Sequence, residues 1–186
     1  MSSPAEILST DLSGLLLDLA HWGVSGPGAM KFLDQPAASA IQEARNLLVA
    51  LGAFDARGAI TADGNLVRDL ALPPRLAAMA LAASRQGHGL EACEIAVLLT
   101  EQGLGGQAID LEERLGRFRN ERGERAEASR KLARRLAESL PRQPNASFRA
   151  PVGQLLLHAF PDRIALQRGA RGRYVMANGR GGELAD

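Results

Sequence analysis

Residues 44–83 read ARNLLVALGAFDARGAITADGNLVRDLALPPRLAAMALAA, and this stretch decides which fold the sequence predicts. It opens as an amphipathic helix that Gly52 ends, because glycine tolerates the left-handed conformation of a helix cap. Residues 55–58 then form a turn between two short apolar pieces, which is typical of a small hairpin. The apolar face of the opening helix consists of Leu47, Leu48 and Leu51.

Two more helices follow the hairpin. Thr61 and Asp63 can each cap the first of them through a side-chain oxygen. The pair Pro73-Pro74 ends that helix, because a proline disfavours helical geometry in the residue before it, and the next helix begins at Arg75. The order helix, hairpin, helix, helix predicts the back half of a winged-helix domain joined to a helical domain.

The composition indicates an ordinary globular protein. With 186 residues, of which 46% are hydrophobic and 23% charged, the chain can form one large or two small domains. No apolar run approaches the roughly 18 residues of a membrane span, and the first ten residues lack the basic segment of a signal peptide. Cys93 is the sole cysteine, which excludes a disulfide framework. We therefore expect a cytoplasmic protein without a membrane partner.

Charge is divided unevenly along the chain. Residues 1–109 hold 6 basic and 11 acidic residues, a net charge of −5, whereas residues 110–186 hold 16 basic and 10 acidic residues, a net charge of +6. Such an asymmetry suggests an anionic partner for the basic half. The alternative is a solvated surface, because the acids can pair with the arginines along helices.

The N-terminal part predicts three helices before the hairpin. We expect the first over residues 5–20, with Trp22 in the core, and a short second helix from Pro27 through Leu33. The third, over residues 37–51, lies where a DNA-reading winged helix contacts bases. It carries one cation and one anion among its polar residues, so it attracts phosphate poorly and is predicted to serve in packing. Those polar residues are Gln42, Glu43, Arg45 and Asn46.

From residue 74 to about residue 140 the pattern is almost wholly helical. The most charged helix has an apolar stripe at fourfold spacing, and a helix from Phe148 to Phe160 follows it. At Asp162 the apolar period changes from 3.6 to 2, which predicts antiparallel strands. The predicted fold is mainly α: a winged-helix domain over residues 1–73, a helical bundle over 74–142, and a helix with a short C-terminal antiparallel β segment over 143–186. The stripe consists of Ala128, Leu132, Leu136 and Leu140.

Several segments resemble the region that follows the second RecA-like domain in DEAH-box RNA helicases, and the likeness is closest to the bacterial HrpB-type branch. The resemblance covers nearly the whole chain. The segments are LSGLLLDLAHWG (12–23), LGAFDARGAIT (51–61), PPRLAAM (73–79) and FPDRIALQRGARGRYVMANGRG (160–181).

The resemblance implies a winged helix, a ratchet-type helical bundle and the start of an oligonucleotide/oligosaccharide-binding (OB) barrel. Such a barrel has five strands, of which about three fit before Asp186, so we expect an internal fragment of a longer protein. The resemblance also implies RecA-like motor domains in the same parent chain, with ATP and magnesium bound there. Single-stranded RNA or DNA would then pass along the bundle and the barrel.

By the same resemblance, arginines of the basic half are candidates for contacts with nucleic-acid phosphates. Tyr174 is a candidate for stacking on a base, or alternatively a residue of the barrel core. The candidate phosphate contacts are Arg130, Arg134, Arg135, Arg168, Arg171 and Arg173.

No catalytic, cofactor-binding or metal-binding site is predicted in this chain. The sequence has no Gly-Lys-Ser/Thr loop and no Asp-Glu-x-His box, the elements by which helicase motors hold ATP and magnesium. Gly103–Gly106 is followed by no such lysine, and we expect it to be a flexible loop. The histidines at positions 21, 88 and 158 lack the spacing of metal ligands.

Two classes of function therefore stay open. The first is a non-catalytic accessory part of an ATP-dependent RNA helicase, which supports the motor domains and guides single-stranded nucleic acid. The second is a stand-alone winged-helix module for protein interaction or regulation. In the first case, dimers of the isolated chain would be an artefact of apolar surface that the motor normally covers.

Overall fold

A computed structural model describes residues 11–24, 26–141, 144, 146–169, 172–177 and 179–183. The described chain is mainly helical and ends in a small antiparallel sheet, as predicted. The helices are α1 (Ser13–His21), α2 (Ala38–Ala50), α3 (Ala62–Asp69), α4 (Pro74–Ser84), α5 (Gly89–Thr100), α6 (Leu111–Asn120), α7 (Glu124–Ser139) and α8 (Val152–Ala159). The strands are β1 (Ala165–Gln167), β2 (Arg173–Met176) and β3 (Gly181–Glu183), with single 3₁₀ turns at Pro27–Ala29 and Pro161–Arg163.

The predicted hairpin between α2 and α3 is present as one antiparallel bridge, Phe54 to Ile60. Thr61 caps α3 as expected: its hydroxyl accepts a hydrogen bond from the Gly64 N–H at 2.9 Å and donates one to the Gly52 carbonyl at 2.7 Å. Gly64 is needed where α3 meets the hairpin, because a Cβ there would lie 2.2 Å from the Ala53 carbonyl oxygen. The hairpin and α3 therefore form one tightly packed corner.

Helices α4 and α5 form the centre of the molecule. α4 packs against α3, α5 and α8, and α5 packs against α4, α6 and α7. Small side chains on both helices are fully buried and allow a close approach, while Met79 and Ile95 fill the remaining space. One continuous cluster of buried apolar residues runs from Leu12 to Ala159 and crosses the predicted boundary at residues 73 and 74. The small buried residues include Ala77, Ala80, Ala83, Ala92, Cys93 and Ala96.

Two predictions for the N-terminal part are wrong. Trp22 is 62% exposed, because α1 ends at His21 and Gly23 turns the chain away with a φ of +73°. The expected helix from Pro27 through Leu33 is a single 3₁₀ turn, and Leu33 is fully exposed. A segment this short, ended by Pro36, is too short to repay the cost of nucleating a helix. Residues 1–10, where the first helix was expected to begin, lie outside the described residues.

The predicted apolar stripe of α7 is also wrong in part. Leu136 and Leu140 are buried, but Leu132 and Ala128 are exposed. The face towards α5 is instead made by small residues three and four positions apart, because these let the two helices approach closely. They are Ala126, Ser129 and Ala133.

The last helix begins later than predicted. α8 starts at Val152 because Pro151 occupies its N-cap and disfavours helical geometry at Ala150. Phe148, which was expected to begin this helix, therefore lies in an exposed coil. The strands after α8 pair in the order β1-β2-β3, with Gln167 opposite Tyr174 and Tyr174 opposite Gly182.

Candidate nucleic-acid interface

Arg130 is held inside the bundle rather than offered to a ligand. Its Nη1 donates hydrogen bonds to the carbonyl oxygens of Phe118 and Glu121, at 2.8 and 2.9 Å. Its guanidinium carbon also lies 5.8 Å from the centroid of the Phe118 ring, which is fully buried. Arg130 therefore satisfies the C-terminal carbonyls of α6 and fastens α6 to α7.

Arg134 and Arg135 project outward from the same helix. Both are exposed, and neither makes a hydrogen bond or an ion pair with another residue that the structure describes. Consecutive helical residues point about 100° apart. Of Arg134 and Arg135, only Arg134 lines the cleft beside α7, so Arg134 is the better placed of the two to meet a ligand held there.

That cleft has a volume of about 560 Å³ and lies between α5, α6, α7 and the coil before α8. Among the described residues, four guanidinium groups and two carboxylates line it, which gives this lining a net positive charge. Glu94 accepts from Arg119 at 2.7 Å, and both side chains are largely buried. Glu91 lies 2.7 Å from the Nδ1 of buried His88 and 4.0 Å from the Nε of Arg149. The four arginines are Arg119, Arg130, Arg134 and Arg149.

A second group of predicted residues lies on the sheet. Arg168, Arg173 and Tyr174 line an open groove of about 440 Å³ together with residues of β3. The Arg168 N–H donates to the Arg173 carbonyl at 3.0 Å, so the two arginines are direct cross-strand neighbours. Arg173 Nε lies 3.9 Å from a Glu183 carboxylate oxygen, while Arg168 makes no ion pair within the described chain. Tyr174 is half-buried.

The predicted contacts therefore fall into two separate surfaces. Arg134 belongs to the cleft on the helical bundle, here called the bundle cleft, and Arg168, Arg173 and Tyr174 belong to the sheet groove. No residue that the structure describes lines both. Arg171 lies outside the described residues.

Sequence analysis missed the contact that positions the sheet. Arg75, from the segment PPRLAAM, forms a bidentate ion pair with Asp162, from the segment FPDRIA, at 2.6 and 3.1 Å. Arg75 also donates to the Ala159 carbonyl at 3.1 Å and lies over the Phe160 ring. The hydrogen bonds from Arg75 lower the pKa of the Asp162 carboxyl below its usual range. The two residues are 87 positions apart, and the only signal in the sequence was their presence in two of the recognised segments.

Cys93 lies buried in the core and is not activated as a nucleophile. Burial raises the pKa of the Cys93 thiol to about 12, so it stays protonated and is a poor nucleophile. No group of three or more His, Cys, Asp or Glu side chains within the described ranges is arranged to hold a metal ion. None of the described helices is both long and apolar enough to cross a membrane.

The glycine loop at 103–106 is packed rather than open to a phosphate. The Gly105 N–H donates to the Glu121 carboxylate at 2.9 Å, and a Cβ on Gly105 would lie 2.3 Å from the Arg114 carbonyl oxygen. A carboxylate at this position would repel a phosphate group. The loop therefore does not fit ATP, and Gly105 serves the close contact with the backbone of α6.

Comparison with known proteins shows that the chain is similar to HrpB helicases. It is 39% identical over 182 residues to the ATP-dependent RNA helicase HrpB of Escherichia coli (strain K12), which covers 98% of this chain and 21% of that protein. A crystal structure of the E. coli DExH-box NTPase HrpB superposes with a TM-score of 0.77 at 37% identity, covering 99% of this chain and 22% of that one.

A crystal structure of the E. coli DEAH/RHA helicase HrpB gives a TM-score of 0.75 at 36% identity, with coverage of 97% and 22%. No family model matches the chain. The chain thus spans about one fifth of the length of the relatives it matches. The resemblance seen in the sequence is confirmed, and the chain is related over almost its whole length to one segment of the HrpB-type helicases.

Proposed function

We propose that this chain is the accessory, non-catalytic part of an ATP-dependent RNA helicase, which supports the motor domains and guides single-stranded nucleic acid. The observation that carries the proposal is the relationship to HrpB over 98% of the chain, at 39% identity. Residues 1–73 would be the winged helix that joins the motor to the ratchet-type bundle, and the sheet would be the start of an OB barrel. ATP and magnesium would bind to RecA-like domains of the same parent chain in the cytoplasm.

The arrangement of charge supports a role in contacting nucleic acid. Arg134 in the bundle cleft and Arg168 in the sheet groove are both exposed and make no ion pair within the described chain. Guanidinium groups in this state can bind phosphate without first breaking an internal contact. Arg135 and Arg173 are weaker candidates, since Arg135 lies outside the cleft and Arg173 faces Glu183. Arg130 is better explained as a structural residue.

The first test is the size of the natural product. Two RecA-like domains of about 150–200 residues each would add roughly 35–45 kDa to the 19.7 kDa of this chain. An immunoblot of the tagged gene product in its host should show the larger size. A band near 20 kDa would contradict the helicase assignment and favour a stand-alone module.

The second test uses RNA-stimulated ATP hydrolysis by that larger protein. Charge reversal at Arg134 and Arg135 should raise the RNA concentration needed for half-maximal stimulation, because two phosphate contacts become repulsive. Arg57→Glu, which changes the net charge by half as much, is the control, since Arg57 is an exposed arginine of the hairpin, remote in sequence from both surfaces. Equal stimulation of the double variant and the control at low salt would remove Arg134 and Arg135 from the interface.

A further inference from the structure

Phe148 is an exposed aromatic residue at the bundle cleft. Its side chain is 68% exposed, although it lies among the residues that line the cleft with Arg134 and Arg149. An aromatic ring open to water beside exposed guanidinium groups is a combination by which proteins bind single-stranded nucleic acid: the ring stacks on a base, and the cations bind the backbone.

The ring of Phe148 is held in place by its neighbours. It meets the His88 ring edge to face, with centroids 5.4 Å apart and an interplanar angle of 63°. His88 is buried and is itself fixed by Glu91 at 2.7 Å. The coil is anchored nearby, where the Ala146 N–H donates to the Gly87 carbonyl at 3.2 Å. A ring positioned in this way loses little freedom when a base stacks on it.

Of the four described arginines of the cleft, two bind other residues of the helical bundle and two face solvent. Arg119 is paired with Glu94, and Arg130 with the carbonyls at the end of α6. Arg134 makes no hydrogen bond or ion pair with another described residue, and Arg149 is mostly exposed, with its Nε 4.0 Å from a Glu91 carboxylate oxygen. The cleft therefore offers two cations near one aromatic ring.

We propose that the bundle cleft binds a segment of single-stranded RNA, with Phe148 stacking on one base and with Arg134 and Arg149 binding the flanking phosphates. The proposal rests on the function proposed above and adds a base-contacting residue that sequence analysis did not single out. Because stacking accepts any base, the contact is independent of nucleotide sequence.

The experiment compares a short oligouridylate with an abasic ribose–phosphate strand of the same length, by fluorescence anisotropy with the 186-residue chain. Wild-type protein should prefer the strand with bases by roughly five- to a hundredfold. Phe148→Ala should lower that preference and leave affinity for the abasic strand unchanged. Phe148→Trp should retain the preference, and Arg134→Glu should lower the affinity for both strands by the same factor.

The comparison of strands separates stacking from a merely structural role. If Phe148 only fastened its coil to α5, Phe148→Ala would lower the affinity for both strands by the same factor. This result would overturn the stacking assignment and leave the proposed function intact. Retention of the full base preference by Phe148→Ala would overturn it as well. Failure of the wild-type chain to bind either strand would overturn the proposed function together with this inference.

Discussion

Helix α4 and the three-stranded sheet stand at opposite extremes of burial. Eight of the eleven residues of α4 are buried, whereas every residue of β1 and β3 is exposed. Helix α4 is stabilised by close packing of small apolar side chains, and this packing needs no polar contact. The sheet lacks such packing and is tethered to the helices by polar contacts, of which the Arg75–Asp162 pair is the least exposed. The helical bundle is therefore specified by its own apolar packing, whereas the position of the sheet depends on a few ion pairs such as Arg75–Asp162.

The strongest contrast in stability is expected between the buried core of the helical bundle, probed at Phe118 of α6, and the exposed sheet, probed at Leu166 of β1. Phe118 is fully buried between α6 and α7, so Phe118→Ala should lower the free energy of unfolding by about 3–5 kcal/mol. Leu166 on β1 is 69% exposed, and Leu166→Ala should change it by less than about 0.5 kcal/mol. Urea denaturation followed by circular dichroism measures both. Comparable losses for the two variants would show that the sheet is packed as tightly as the bundle.

A smaller loss of stability is expected when the Arg75–Asp162 ion pair is removed. Arg75→Ala deletes three hydrogen bonds and leaves the Asp162 carboxylate and the Ala159 carbonyl without their donor, at a cost of about 1–3 kcal/mol. Hydrogen exchange should accelerate in β1 and β2 and stay slow in α4 and α5. The control is Arg85→Ala, which breaks the more exposed pair with Asp63. Faster exchange throughout α5 in the Arg75 variant would contradict a tether confined to the sheet.

Much of the helical part could be predicted because the signals are local. Gly52, Thr61 and Pro74 mark helix ends through backbone geometry that depends on neighbouring residues alone. The sheet was predicted from its period of two and its turn glycines. Two predictions that failed, the burial of Trp22 and the start of the last helix at Phe148, depend on how the chain turns after a helix ends or before it begins, which periodicity does not encode.

The candidate interface was predictable to a smaller degree. Sequence indicated which half is basic, but it could not separate arginines that bind carbonyls, such as Arg130, from those that face solvent, such as Arg134. That difference is decided by which helix packs alongside, here α6. The pairing of Arg75 with Asp162 depends on contacts across 87 positions, which no local pattern specifies.

A smaller effect concerns pH. Asp162 has a lower pKa in the folded chain than its ordinary value of 3.8, so the folded state binds this proton less readily than the unfolded state. The stabilisation is therefore complete well above pH 3.8 and is lost as the pH falls through the lower pKa of the folded state. On acidification, the protection factors of the β1 and β2 amides, which correct for the slower intrinsic exchange in acid, should fall before those of the α4 amides do. Asp162→Asn should remove that separation, and its persistence in this variant would assign the effect to other carboxylates.

The most direct test of the central claim is the salt dependence of RNA binding by this chain. Arg134→Glu and Arg168→Glu should each weaken binding to single-stranded RNA, and each should reduce the slope of log affinity against log salt by about 0.7. Arg57→Glu should leave both quantities nearly unchanged. Equal losses for all three variants would mean that only net charge matters, and would contradict the claim that the bundle cleft and the sheet groove are the surfaces that guide nucleic acid.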